Sequence, residues 1–159
     1  MVVLQVHKTQ AELYDALRDD VAAVADPLFD LSKTLLQKHG NFLPHGLVLR
    51  DEGKDTMVGA VENNGTGTST STQILPLVHA GLRQQAQKGG VRAIGVAENV
   101  TATREGDPPT AAVKVLLEHR TGLCVALYFP FRKRFLFGYE FGKPFTVPAQ
   151  PEVKPWGAP

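Results

Sequence analysis

The chain has 159 residues, 43% hydrophobic and 21% charged, with 17 Lys and Arg against 16 Asp and Glu for a net charge of +1. Such a composition suits one domain with a buried core and excludes a disordered polypeptide. It also argues against a body built mainly to coat nucleic acid or an anionic membrane, which needs surplus cations to release counterions, though it leaves room for a local basic patch.

Thr9-Gln10-Ala11-Glu12 reads as a capping box that starts a first helix, with Leu13, Leu17 and Val21 as its apolar stripe. Asp26-Pro27 is expected to break that helix and start a second, which buries Leu28, Leu31, Leu35 and Leu36 and stops at Gly40. From Gly46 the period changes, and Asp51-Glu52-Gly53-Lys54 has the form of a turn between the two strands of a hairpin. The Gly/Ser/Thr stretch 62–72 reads as a surface loop. A third helix follows with Ile74, Leu75, Val78 and Leu82 on one face, Pro76 in its first turn and Gly89-Gly90 as its stop.

Strands dominate the remainder. Residues 91–100, 111–119 and 123–131 alternate strongly, and Arg120-Thr121-Gly122 is short enough to force an antiparallel hairpin. Residues 135–141 are expected to add a strand with Phe135, Phe137, Tyr139 and Phe141 on one face. Five later prolines argue against regular pairing, so residues 143–159 read as an extended, Pro-rich C-terminal tail that wraps over or hangs from a domain of residues 1–142. The expected fold is α+β, a mainly antiparallel sheet of five or six strands with helices on one face, in the order ααββαββββ. That element order resembles profilin-like and roadblock-like modules, and also the cone of nuclear-transport-factor-like proteins.

A more local likeness lies in Leu35-Leu36-Gln37-Lys38-His39-Gly40-Asn41-Phe42-Leu43-Pro44-His45-Gly46-Leu47-Val48-Leu49 and, later, Leu117-Glu118-His119-Arg120 before an apolar strand ending in Pro130. These stretches resemble a group of small uncharacterised bacterial proteins. The resemblance implies a bacterial protein and carries no activity with it.

Candidate chemistry is sparse. The helix-to-strand loop gathers His39, Asn41, Phe42 and His45, stiffened by Pro44, and Phe42 with His45 could roof a ligand pocket. The histidine spacings match no zinc pattern, so no metal site is expected. Cys124 is single, which excludes an internal disulfide and fits a reducing, cytoplasmic setting. Placed in an apolar strand, it reads as a structural cysteine, with His119 across the turn as its one conceivable base. Glu98 and Glu118 have ordinary surface explanations. The Ser/Thr loop has neither the lysine of a phosphate-binding P-loop nor a dinucleotide fingerprint. With no nucleophile elbow or carboxylate pair, a catalytic role is not favoured and no cofactor is expected.

Arg132-Lys133-Arg134 interrupts an aromatic-rich segment. Cations beside exposed rings are what a single-stranded nucleic-acid surface uses, but the order differs from the pattern of RNA-recognition modules, and the plainer reading makes them a polar turn between strands whose aromatics are core. The expected function is a non-catalytic interaction or regulatory module of a bacterial cytoplasm that engages itself, as a homodimer, or another protein, with nucleic acid and membrane disfavoured. The alternative is a small-molecule-binding protein or enzyme with a pocket between helices and sheet. The start of the chain lacks the pattern of a secretory signal. Charge is also unevenly spread: residues 1–131 carry 12 cations against 14 anions, while 132–159 carry five against two.

Overall fold

Strict alternation in the central strands sets the architecture, because successive side chains of a strand point to opposite faces. A computed structural model describes residues 9–59 and 70–156. Three helices, α1 (Gln10–Ala16), α2 (Arg18–His39) and α3 (Ser71–Gln87), accompany the strands β1 (His45–Arg50), β2 (Asp55–Gly59), β3 (Val91–Ala102), β4 (Thr110–His119), β5 (Cys124–Lys133), β6 (Tyr139–Phe141) and β7 (Phe145–Pro148). The sheet runs β2-β1-β3-β4-β5-β6, with β7 also on β5, and every pairing is antiparallel. The α+β class and the antiparallel sheet are those the alternation predicts.

The layer of α1 and α2 packs on one face. Val21, Val24, Leu28 and Leu36 of α2 meet Leu47, Ala93, Val113, Val115, Leu117 and Val125 from the strands. Gly95 lets the helix come that close, since a Cβ there would collide with Val24 Cγ1 and sit 2.8 Å from Leu28 Cδ1. Both side chains are fully buried and cannot swing away. Gly95→Ala should therefore cost about 1–3 kcal/mol by overpacking, read as a lower urea midpoint with an unchanged slope. Helix α3 packs its Ile74, Val78, Leu82 and Ala86 against residues of the other parity, Val48, Ile94 and Val96, and against Val91, where the β1–β3 register shifts, at the β1 end of the sheet.

Three expectations need correcting. The first helical break falls at Leu17 rather than at Asp26-Pro27, and α2 runs unbroken through Pro27. Pro76 stands sixth in α3, beyond its first turn, because the helix starts early on a capping box between Thr70 and Gln73. A proline inside a helix costs about 3 kcal/mol, and in both places flanking residues that are wholly or nearly buried, Val24, Ala25 and Leu28 or Ile74 and Val78, offset it. The helix stop at Gly40 is as expected, with φ 75° and its N–H donating to the Leu36 carbonyl. Most of the Ser/Thr loop falls outside the described residues.

The C-terminal tail corrects the third. Phe145–Pro148 pairs with β5, despite the surrounding prolines, because Pro144 precedes the strand and Pro148 closes it on a sheet edge where a missing N–H is tolerated. Beyond β7 the tail wraps over the body. Val153 is fully buried against the α3 cluster, Arg83 Nε donates to its carbonyl at 2.8 Å, and Trp156 Nε1 donates to Val91 O at 3.2 Å.

Candidate interaction surface

Between β5 and β6 the chain makes a hairpin whose two ends differ sharply. Its base is anchored in aromatic packing: Phe131 lies edge-on to Tyr139 at 5.8 Å, Phe29 of α2 stacks on Phe129 at 4.1 Å, and Phe29 meets Phe141 edge-on at 5.2 Å. The turn is closed by Arg134 N donating to Gly138 O at 3.0 Å, with Gly138 at φ 83°, a conformation that side-chain-bearing residues rarely adopt. At the tip, Phe135 is 99% exposed, Leu136 78% and Phe137 80%. Isolated exposed apolar residues are ordinary, but three large ones in succession form a patch of the sort that marks contact sites.

This divides the aromatic set that was expected to share one strand face. Tyr139 and Phe141 do line one side of β6, whereas Phe135 and Phe137 belong to the turn, so the predicted strand over residues 135–141 shrinks to its last three residues. The basic cluster is exposed too. Arg132 contacts Glu140 through Nε at 3.1 Å and Nη2 at 3.0 Å, an open pair of small energetic weight. Within the hairpin, residues 132–141, Arg132, Lys133 and Arg134 stand against the single acid Glu140, a local excess of two positive charges.

The other sequence candidates lie inside. Phe42 is 1% exposed and His45 3%, their rings edge-on at 5.6 Å, so the helix-to-strand loop is packed core. His45 Nδ1 donates to Leu43 O at 3.0 Å, and Nε2 lies 3.2 Å from the Ser32 hydroxyl, which itself donates to Leu28 O. Burial holds the His45 pKa below the ordinary 6.5, against smaller opposing contributions from the Leu43 and Leu28 carbonyls. The unfolded chain therefore takes up a proton that the folded one resists, and stability should fall as pH drops through and below 6.5, with a slope of up to about 1.4 kcal/mol per pH unit for such a histidine. Urea titrations at a series of pH values check this. A His45→Gln protein with an undiminished slope would contradict it.

Cys124 and His119 do not pair. Cys124 is opposite Glu118 in the β4–β5 register, while His119 points to the α2 face, its Nε2 2.9 Å from Asp20 Oδ2 and its Nδ1 accepting from Thr121 N. Burial first, then the Glu118 and Glu152 charges, pushes the Cys124 thiol up to about 12, far from a thiolate. Among the described residues no group of three His, Cys, Asp or Glu side chains could hold a metal ion, and no helix is long and apolar enough to cross a membrane.

Glu118 is the residue that sequence reasoning misplaced. It is 3% exposed and accepts from the backbone N–H groups of Glu152, Val153 and Lys154 at 3.2, 2.9 and 2.8 Å, which latches the C-terminal segment to the sheet. Lys154 takes a positive φ of 52° to present its N–H, a conformation that non-glycine residues seldom adopt. On the same face Glu98 pairs across the strands with Lys114, and burial raises the Glu98 pKa against the opposing pull of that lysine. Further along, grooves of about 380 and 390 Å³ are lined by residues that include Lys114, Tyr128, Phe145 and Lys143.

Scans against protein-family models, curated proteins and solved structures find none that matches this chain.

Proposed function

We propose that the chain is a non-catalytic interaction module and that its contact element is the β5–β6 hairpin. The observation that carries this reading is the exposure of Phe135, Leu136 and Phe137 on a turn whose base is locked into the core. Water exacts a continuing cost for three bare apolar side chains, and nothing in the packing of the body requires them there. His45, His119 and Cys124 support the same reading, since each is buried within the fold and the two histidines are tied into its hydrogen bonds.

A photo-crosslinking experiment tests it. With benzoylphenylalanine at position 136, illumination of living bacterial cells should give adducts, to protein or to lipid, while the same probe at position 52, in the β1–β2 turn at the far end of the sheet, gives none. Equal yields at the two positions would remove the hairpin as the contact element.

A further inference from the structure

We infer that the partner of this hairpin is the surface of an anionic lipid bilayer, which rests on the reading of the hairpin as the contact element. Three properties of the tip select that partner. First, Phe135, Leu136 and Phe137 are consecutive and all largely bare, so they form a convex cap that points in several directions at once. A shaped protein pocket receives one face of a segment; a fluid apolar medium accepts all of them.

Second, the cations form a collar behind the cap. Arg132, Lys133 and Arg134 immediately precede it, and Glu140 is the one acid within the hairpin. Aromatic and aliphatic groups that enter the interfacial layer while Arg and Lys reach lipid phosphates are the general pattern of peripheral membrane attachment. Each basic residue close to an anionic leaflet adds to the attraction, and salt screens it. The balanced charge of the whole chain does not oppose this, because only the hairpin meets the surface.

Third, a second copy of the chain fits poorly. Two phenylalanines and a leucine can bury roughly 500–600 Å² on one partner, short of the roughly 800 Å² per partner of a standard stable interface. A symmetric tip-to-tip contact would also set one cationic collar against the other. The rigid base suits insertion instead, since little ordering entropy remains to be lost when the tip is taken up.

Vesicle co-sedimentation of the full chain tests the inference. The protein should pellet with phosphatidylcholine vesicles containing 30 mol% phosphatidylglycerol at least tenfold more strongly than with phosphatidylcholine alone, an expected excess on the order of that given by a few basic contacts. The excess should shrink in 0.5 M salt. F135S/L136S/F137S should abolish sedimentation, and R132A/K133A/R134A should remove the preference for anionic vesicles. All of these side chains are exposed, so both variants should keep the urea midpoint of the parent within the small range of surface substitutions. A tryptophan placed by L136W should shift its emission to the blue on vesicle addition. Equal pelleting with the two vesicle types, or undiminished pelleting of the serine variant, overturns the inference. So does light scattering that gives about twice 17.2 kDa for the parent and 17.2 kDa for the serine variant, which would make a second copy the occupant. Crosslinking at position 136 without vesicle binding would leave the hairpin as the contact element and exclude the lipid; failure of both removes the two readings together.

Discussion

Glu118→Ala should lower the unfolding free energy by about 3 kcal/mol, because the N–H groups of residues 152–154 lose the one carboxylate that satisfies all three of them. Charge-assisted bonds of this type are about twice as strong as neutral ones. Three of them converge on a side chain that is 3% exposed, where water competes badly. Once the latch is lost, Val153 has less to hold it in its socket against α3, and the bond from Arg83 to its carbonyl goes with it. Loss of the tail therefore limits the effect: a chain ending at residue 149 should be destabilised by a comparable amount, and adding Glu118→Ala to it should cost much less than the sum. Urea denaturation of the four proteins in a double-mutant cycle measures that coupling. Additive effects would show that Glu118 acts somewhere other than on the tail. Glu118→Gln should fall between, since its amide retains one oxygen to accept while its NH₂ faces donors.

Phe42→Ala should have the larger effect, about 3–5 kcal/mol, the range for emptying a fully buried aromatic site. Phe42 is 1% exposed and lies just before β1, so the cavity opens where α2 turns into the sheet. Its neighbours cannot close in easily. The His45 ring that lies edge-on to it is tied to Leu43 O, and Phe42 N donates at 2.8 Å to the Asn41 side-chain oxygen, which also accepts from the Asn99 amide at 2.7 Å. Thermal unfolding followed by circular dichroism should show a lowered midpoint, with Phe42→Leu recovering much of the loss. A Phe42→Ala protein as stable as the parent would mean that this loop is not part of the core and would reopen it as a ligand site.

Much of the architecture can be read from local pattern. The alternation through β3, β4 and β5, the glycine that ends α2, and the Gly53 and Gly122 turns all act within a few residues of themselves, and they lead directly to an antiparallel sheet with helices packed on it. Pro27 and Pro76 mislead for the opposite reason. Each announces a break by its own chemistry, and each is overridden by burial of its neighbours against strands far away in sequence. Glu118 is harder still, because its partners stand 34 to 36 residues downstream. A signal was nonetheless present: its parity in β4 is that of Leu116, an inward position, and a carboxylate there needs donors.

The candidate interaction surface lies at the limit of what pattern can give. A run of aromatics at every second position is consistent with a buried strand or with a turn, and the difference rests on where β5 ends. The basic cluster was visible as charge, and its companions Phe135 and Phe137 were visible as residues, but only the folded hairpin shows that the rings stand in water. The opposite held for Phe42 and His45, where a suggestive grouping proved to be packing.

The outer side of β5 is occupied twice over. β7 takes its first half, from Val125 to Tyr128, and β6 its last residues, Phe131 to Lys133, so two short segments share one strand. A bare strand of ten residues would offer a row of unpaired N–H and C=O groups to any other chain, the usual starting point for sheet-to-sheet growth and aggregation. Here that row is already filled from within. The edge that remains is broken into strands of three and four residues, too short to template another chain readily, which leaves room for the hairpin tip to be greasy without turning the protein into a nucleus for fibres.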